Sequence, residues 1–396
     1  MLSEKVAEKL AEELVDRIEE LNLTVITEIG KAIKEIGTLT PSQAYKLIQD
    51  MKYGGSYNKI IKKLAEVTNM NEKEIYKIFE KIAKENSEFS KQFFEYRNLD
   101  YIPYEENIRL QDQVRAMARV TAGEYKNLMN TTAYMVIENG EEVYTPLSQI
   151  YQKTLDKAVI ALVQGKETYQ KTMKRTMEEL TDKGMRVVDY KTGYHRRLDS
   201  AVRMNILDGM RDVSNTTQEI FAEQYGSDAV EISVHLNPAP DHAPIQGRQY
   251  TNEQFEKMQG KRSATGMYIG GTLKRPISTM NCYHYIFRII KGVSKPLYTE
   301  EQLKEINAKN IAGFTFEGKH YTNYEGTQLQ RKIETEVRRL SEKKIGAEII
   351  GEADDAGNYE RKINQLKHKY TALAKVSGLP AKYDRMQVTG YRRTTV

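Results

Sequence analysis

Cys282 is the only cysteine in 396 residues, and it stands in Asn281-Cys282-Tyr283-His284. Of six histidines, His195, His235, His242 and His284 fall in the same stretch as that thiol. A thiolate and neutral imidazoles are the donors that a borderline-soft ion such as zinc prefers. His242, Cys282 and His284 are therefore the candidate ligands of a structural zinc ion. His235 is a fourth ligand, or a group that orients one of the others. The other reading of the same residues is a set of hydrogen-bonded histidines around a thiol that packs as a small hydrophobe. An enzymatic use is also on the table: a metal-dependent nuclease with Asp241 as base, His242 as ligand and Asn281 or His284 completing the site. It lacks an acidic cluster for Mg2+ and a helix to carry a second ligand set.

The elements that must hold these groups are short. Val230, Ile232, Val234 and Leu236 alternate strictly, which predicts a strand with those four facing a core and His235 on the other face with Glu231 and Ser233. Pro238, Pro240 and Pro244 predict a rigid, extended loop bearing Asp241 and His242. Cys282 to Phe287 reads as a second strand, whose period of two puts Cys282 and His284 on one face.

Around this module the pattern is helical. Leu2, Val6, Leu10, Leu14, Ile18, Leu21, Val25, Ile29, Ile33 and Ile36 form one stripe of a long amphipathic helix. Thr40-Pro41-Ser42-Gln43 and Asn71-Glu72-Lys73-Glu74 read as capping boxes that open further helices, with Gly54-Gly55 as a break. Helices follow at about 106–129, 146–163 and 167–182. A short strand comes next at 185–190, with Lys191-Thr192-Gly193 as its turn, and then a helix at 198–224 ended by Gly226. After Pro296 the helical pattern returns, entered at Thr299 and continuing over 328–344 and 358–376. Asp354-Asp355-Ala356-Gly357-Asn358 reads as a turn with a helix cap. Gly378-Leu379-Pro380 stops the last helix before an extended basic strip. The expected fold class is α+β and predominantly α-helical, in four parts. These are an N-terminal helical domain (1–104), a central helical domain (105–226), a β-containing Pro/His/Cys module (227–297) and a helical, basic C-terminal tail (298–396).

Hydrophobic content of 39% against 29% charged residues leaves much solvated surface, and no run approaches the roughly 18 apolar residues of a membrane span. The start, Met-Leu-Ser-Glu-Lys, has no apolar signal segment. A lone cysteine fits a reducing compartment. No G-x-x-x-x-G-K-[ST] phosphate loop and no G-x-S-x-G elbow occurs. The net charge of +5 is unevenly placed: from Arg361 onward nine Lys and Arg face only Asp384, so that stretch carries +8 and the rest −3. Arg361, Lys362, Lys367, Lys369, Arg392 and Arg393 are thus candidate contacts for a polyanion or an acidic protein face. Tyr370, Tyr383 and Tyr391 are positioned in sequence to add stacking, and no base-reading element is present. The alternative is a solvated terminus.

Four stretches taken together resemble the phage minor capsid protein 2 family, which is related to the Mu F type of head-morphogenesis proteins of tailed bacteriophages and prophages. They are Val202 to Gly209, Val230 to His235, Asp241-His242-Ala243-Pro244-Ile245-Gln246-Gly247 and Asn281 to His284. The resemblance is best over about Tyr144 to Tyr391. Departures are Ile245 where an aromatic is usual, Tyr283 where a basic residue is usual, and Arg275 to Met280 in place of a Gly-Leu or Gly-Ile approach to Asn-Cys. The resemblance implies a minor head component in few copies at the portal vertex. Such a protein is found in the virion, and in the host bacterial cytoplasm during assembly. It meets portal and other head proteins, acts in head assembly and delivery of packaged DNA, and has no established catalytic activity.

Overall fold

The apolar stripe read from the first helix becomes the axis of the molecule. In a computed structural model, which describes residues 2–36, 43, 55–68, 72–138, 141–164, 169–188, 195–263, 268–279 and 282–388, α1 spans Leu2–Ile36. Leu10, Leu14, Ile18, Leu21, Val25, Ile29, Ile33 and Ile36 are all buried along it. The helices that cover this stripe are α2 (Gly55–Thr68), α3 (Glu72–Arg97), α5 (Leu147–Gln164), α6 (Tyr169–Lys183), α7 (Leu198–Tyr225) and α10 (Asn323–Ile350). α4 (Ile108–Asn130) packs on α3 and α7. One apolar core runs from Leu10 through Phe221 to Ile289, Ile290 and Ile350. The helix expected at 198–224 is α7, and it stops where Gly226 takes the left-handed conformation at φ 71°. The helix start read at Thr40-Pro41-Ser42-Gln43 falls largely outside the described residues, as do Asn71, Gly54 and the turn Lys191-Thr192-Gly193.

A four-stranded antiparallel sheet of order β2-β1-β3-β4 was only half foreseen. β3 (Met185–Val188) matches the expected strand, while the hairpin β1 (Thr132–Glu138) and β2 (Glu141–Pro146) lies where no strand was read. β4 (His195–Arg197) leads directly into α7. Arg197 and Asp199 at this junction meet α10 and α1. Arg197 donates to Glu342 at 2.8 Å and lies 3.4 Å from Asp199, and Arg338 donates to Asp199 at 2.7 Å and to Glu19 at 3.4 Å. All five side chains are at most 16% exposed, so this is an internal ion network.

The small module is a three-stranded antiparallel sheet, β6-β5-β9, from Gln249–Thr251, Ala229–Ile232 and Ile286–Ile289. It is joined by α8 (Asn252–Gln259) and the hairpin β7 (Gly260–Arg262) and β8 (Tyr268–Gly270). Its own core is Val230, Ile232, Phe255, Ile277 and Ile286. Both expected strands are shorter than the alternation suggested. β5 ends at Ile232, and Leu236, expected in the core, is 71% exposed. The chain turns away there because the His235 amide is taken by the Gln246 side chain rather than by a neighbouring strand. Cys282 likewise precedes its strand: its amide closes a turn on the Thr279 carbonyl, and β9 begins only at Ile286.

α9 (Glu300–Ala312) opens with the expected Thr299–Gln302 capping box. The hairpin β10 (Phe314–Phe316) and β11 (Lys319–Tyr321) follows. α10 is longer than the read 328–344. α11 (Ala353–Ser377) takes Asp354 and Asp355 into its first turn instead of leaving them in a loop. Two carboxylates there face the positive end of the helix dipole, which favours starting the helix earlier. α10, α11 and β10 share a second core around Ile333, Val337, Ile363, Tyr370 and Leu373. The segment after Gly378 is not an extended strip as far as Val388. Leu379 and Met386 are buried, residues Tyr383–Met386 form a 3-10 turn, and the Lys382 amide donates to the Tyr370 hydroxyl at 2.8 Å.

Candidate metal centre

Three side chains from two segments converge. Cys282 Sγ lies 3.6 Å from His242 Nδ1 and 3.4 Å from His284 Nδ1. The three donor atoms fall within 4.8 Å of one another. Tetrahedral ligands held at 2.0–2.3 Å from zinc sit about 3.3–3.8 Å apart, so the two sulfur-to-nitrogen separations already match that geometry.

The loop that presents His242 is wound rather than extended. The amides of His242 and Ala243 donate to the Ala239 carbonyl, and those of Ile245 and Gln246 to the His242 carbonyl. Proline fixes φ near the helical value, so the three prolines that suggested extension are equally at home at the entries of consecutive turns. Gly247 ends the loop at φ 69°, where a Cβ would stand 2.4 Å from Leu303 Cδ2 and 2.7 Å from Val234 Cγ2. Gly247→Ala is therefore expected to cost about 1–3 kcal/mol through backbone strain and overpacking, read as a fall in the urea midpoint at unchanged slope. A midpoint within error of the parent would contradict this account of the turn.

The outer nitrogens fix which ring atoms face the thiol. His242 Nε2 lies 2.9 Å from the Arg275 carbonyl, which only accepts, so that nitrogen carries a proton. His284 Nε2 lies 3.0 Å from Gln246 Oε1. That oxygen accepts from the His235 amide at 2.7 Å while Gln246 Nε2 donates to Asn307, which orients the glutamine amide and makes His284 Nε2 a donor as well. Both Nδ1 atoms therefore point at Cys282. An imidazole whose far N–H is tied to a carbonyl or amide oxygen is how metal-binding histidines are held. Burial pushes the Cys282 thiol up, but its bonds to His242 and His284 outweigh this and bring it down to about 5. Burial disfavours a charged His242 ring, yet the bonds to Cys282 and to the Arg275 carbonyl leave its pKa raised. The site is built to hold a thiolate.

His235 stands beside this group and not in it. Its ring centroid is 5.5 Å from that of His284 and 5.4 Å from that of Tyr283. Burial, reinforced by His284, lowers its pKa to about 4. His195 is on β4, paired with Arg186 at 2.8 Å. Asp241 is held by Arg275 through two bonds of 2.9 and 2.5 Å, and Asn281 lies outside the described residues. Sequence reasoning gave no role to Gln246, Asn307 or the Arg275 carbonyl. Gln246 is 1% exposed, but a glutamine in a Pro-rich loop carries no pattern that marks it as buried.

The sequence model of phage minor capsid protein 2 matches residues 2–375. The chain belongs to that family. The match takes in the N-terminal helices as well as the His/Cys module, and it points to a structural part in the phage head. No curated protein and no solved structure matched the chain. No helix among the described residues is long and apolar enough to cross a membrane.

Among the candidate basic contacts of this minor capsid protein, Arg361, Lys362 and Lys367 are exposed on α11. Lys369 is half-buried, 2.5 Å from Glu317 and over the Phe316 ring. Arg392, Arg393 and Tyr391 lie outside the described residues. Tyr370 is fully buried and donates to Glu334 at 2.7 Å, so it offers no stacking surface. Its position is set by the period of α11, which turns Ile363, Tyr370 and Leu373 into the second core.

Proposed function

We propose that this minor capsid protein is a portal-associated head component that acts in head assembly and in delivery of packaged DNA. It would be carried in the virion after assembly in the host bacterial cytoplasm. The observation that supports a contact role is α11. Its inner face is committed to the second core, while Arg361, Lys362 and Lys367 stand free of that core on the outside. Such a face binds phosphates or carboxylates by charge, without sequence choice. In binding assays with duplex DNA and with the adjacent portal protein, Arg361→Glu/Lys362→Glu is expected to weaken association at low salt. With DNA, the salt slope should fall by about 2, one phosphate contact per residue. Unchanged binding to both would end the proposal for this surface.

The same proposal places a structural zinc ion between His242, Cys282 and His284. The spacing of the three donors and the tethered Nε2 atoms support it, and the ion would link the 239–247 loop to the segment before β9. A module with so small a core gains from such a link. A metal-dependent nuclease draws no support from this geometry. Asp241, its base, is occupied by Arg275, and the three-donor group contains no carboxylate.

A further inference from the structure

We infer that the metal centre is open on one side and takes a phosphate group as its fourth ligand; this rests on the zinc reading above. Closed structural zinc sites have four protein ligands, whereas a site with three protein ligands keeps a position for something from outside. Among the described residues, the group that converges here has three donors. All three side chains border a cleft of about 510 Å3 that separates the module from α10 and the C-terminal segment.

The walls of that cleft are cationic. Arg331 projects from α10, and Lys382 and Arg385 from the segment after α11, while Arg275 is already matched by Asp241. Two carboxylates face them, Glu8 and Glu334, the second also accepting from the Tyr370 hydroxyl, so the three cations of the wall outnumber its carboxylates by one. Arg385 Nε is buried without a hydrogen-bond partner among the described residues. Arg203 lines the adjoining cavity beside Arg385, where it lies 3.9 Å from Glu12. A buried guanidinium donor without a partner, as in Arg385, favours an anion beside it.

The charge selects the ligand. Zinc with one thiolate and two neutral imidazoles retains one positive charge, and Arg331, Lys382 and Arg385 set against Glu8 and Glu334 add one more. A phosphate group offers several oxygens, enough to meet the ion and the arginine forks together; a carboxylate offers two and a single charge. Free phosphate and a terminal phosphomonoester share this chemistry; a DNA phosphodiester, with two free oxygens and one charge, does not.

Absorption of the full-length protein loaded with Co2+ tests the assignment. A thiolate-to-cobalt band reports Cys282, and the visible ligand-field bands report coordination number. Inorganic phosphate is expected to shift the ligand-field bands saturably and leave the thiolate band in place. Arg331→Ala/Arg385→Ala should need about tenfold more phosphate for the same shift at unchanged cobalt affinity. Arg331→Ala alone, at an exposed position, should show a smaller change in the same direction. Oligonucleotides with and without a 5′-terminal phosphate separate the two sources: a shift with the phosphorylated form alone identifies a DNA end, none with either identifies free phosphate, and a shift with both would overturn the selection. If cobalt binds with its thiolate band but phosphate changes nothing, the site is closed and the inference is wrong while the metal reading survives. Acetate acting as well as phosphate would also overturn it. Absence of the thiolate band would remove the metal reading itself.

Discussion

Asp199→Ala is expected to lower stability by about 3–5 kcal/mol, since it strips the shared acceptor from two buried guanidiniums. Asp199 receives Arg338 at 2.7 Å and lies 3.4 Å from Arg197, in a region where its own side chain is 5% exposed. Glu342 and Glu19 remain as partners, but each is already engaged. Urea unfolding at neutral pH measures the loss. A value under about 1 kcal/mol would show that the network behaves like solvated surface pairs. The pH dependence has a definite sign. Burial pushes the Asp199 carboxyl up, but Arg197 and Arg338 outweigh it and hold it well below the usual range. Its stabilisation is therefore fully present above the unfolded value of about 3.9 and fades as pH falls below that. In Asp199→Asn the difference from the parent should accordingly narrow on acidification from about pH 4 downward.

Cys282→Ser carries the second large effect. With zinc at roughly a thousand times its dissociation constant, the parent gains about 4 kcal/mol over the same protein in chelator, and its melting temperature rises accordingly. In the Ser variant, zinc and chelator should give the same melting temperature, because a hydroxyl replaces the thiolate that joins the two segments. Acid works in the same direction as the mutation: His and Cys ligands must shed protons to bind, so zinc stabilisation weakens as pH falls. A parent that melts identically in zinc and in chelator would show that the three side chains are only a hydrogen-bonded cluster.

Legibility followed the range of the forces involved. The stripe of α1 and the Gly226 stop of α7 are local signals, a 3.6-residue period and a left-handed cap, and the structure has the stripe from Leu10 to Ile36 and the cap as read. The β1–β2 hairpin was missed because Ala133, Tyr134, Met135 and Val136 are all buried, so the strand shows no alternation. Asn139-Gly140 between the two runs was the overlooked turn signal. At the site, the residue types alone picked out His242, Cys282 and His284, and the geometry brings those three together. The elements proposed to hold them fared worse, since the alternation from Val230 to Leu236 is broken by one side-chain bond from Gln246. That bond and the one to the Arg275 carbonyl join residues distant in sequence, and nothing in a one-dimensional pattern encodes them.

α1 and α10 lie against each other although Glu19 and Arg338 are 319 residues apart. Gly30 sits so close to Ile349 that a Cβ would come within 2.6 Å of its Cγ2. During synthesis the stripe of α1 must wait, with that flank uncovered, until ribosomes have made nearly the whole partner helix. Contacts of such long sequence separation slow the final docking step and leave an apolar surface open to aggregation meanwhile. Chains cut short before Asn323 should therefore be soluble only while a chaperone shields that helix, and refolding of the intact chain should show a slow, aggregation-prone phase.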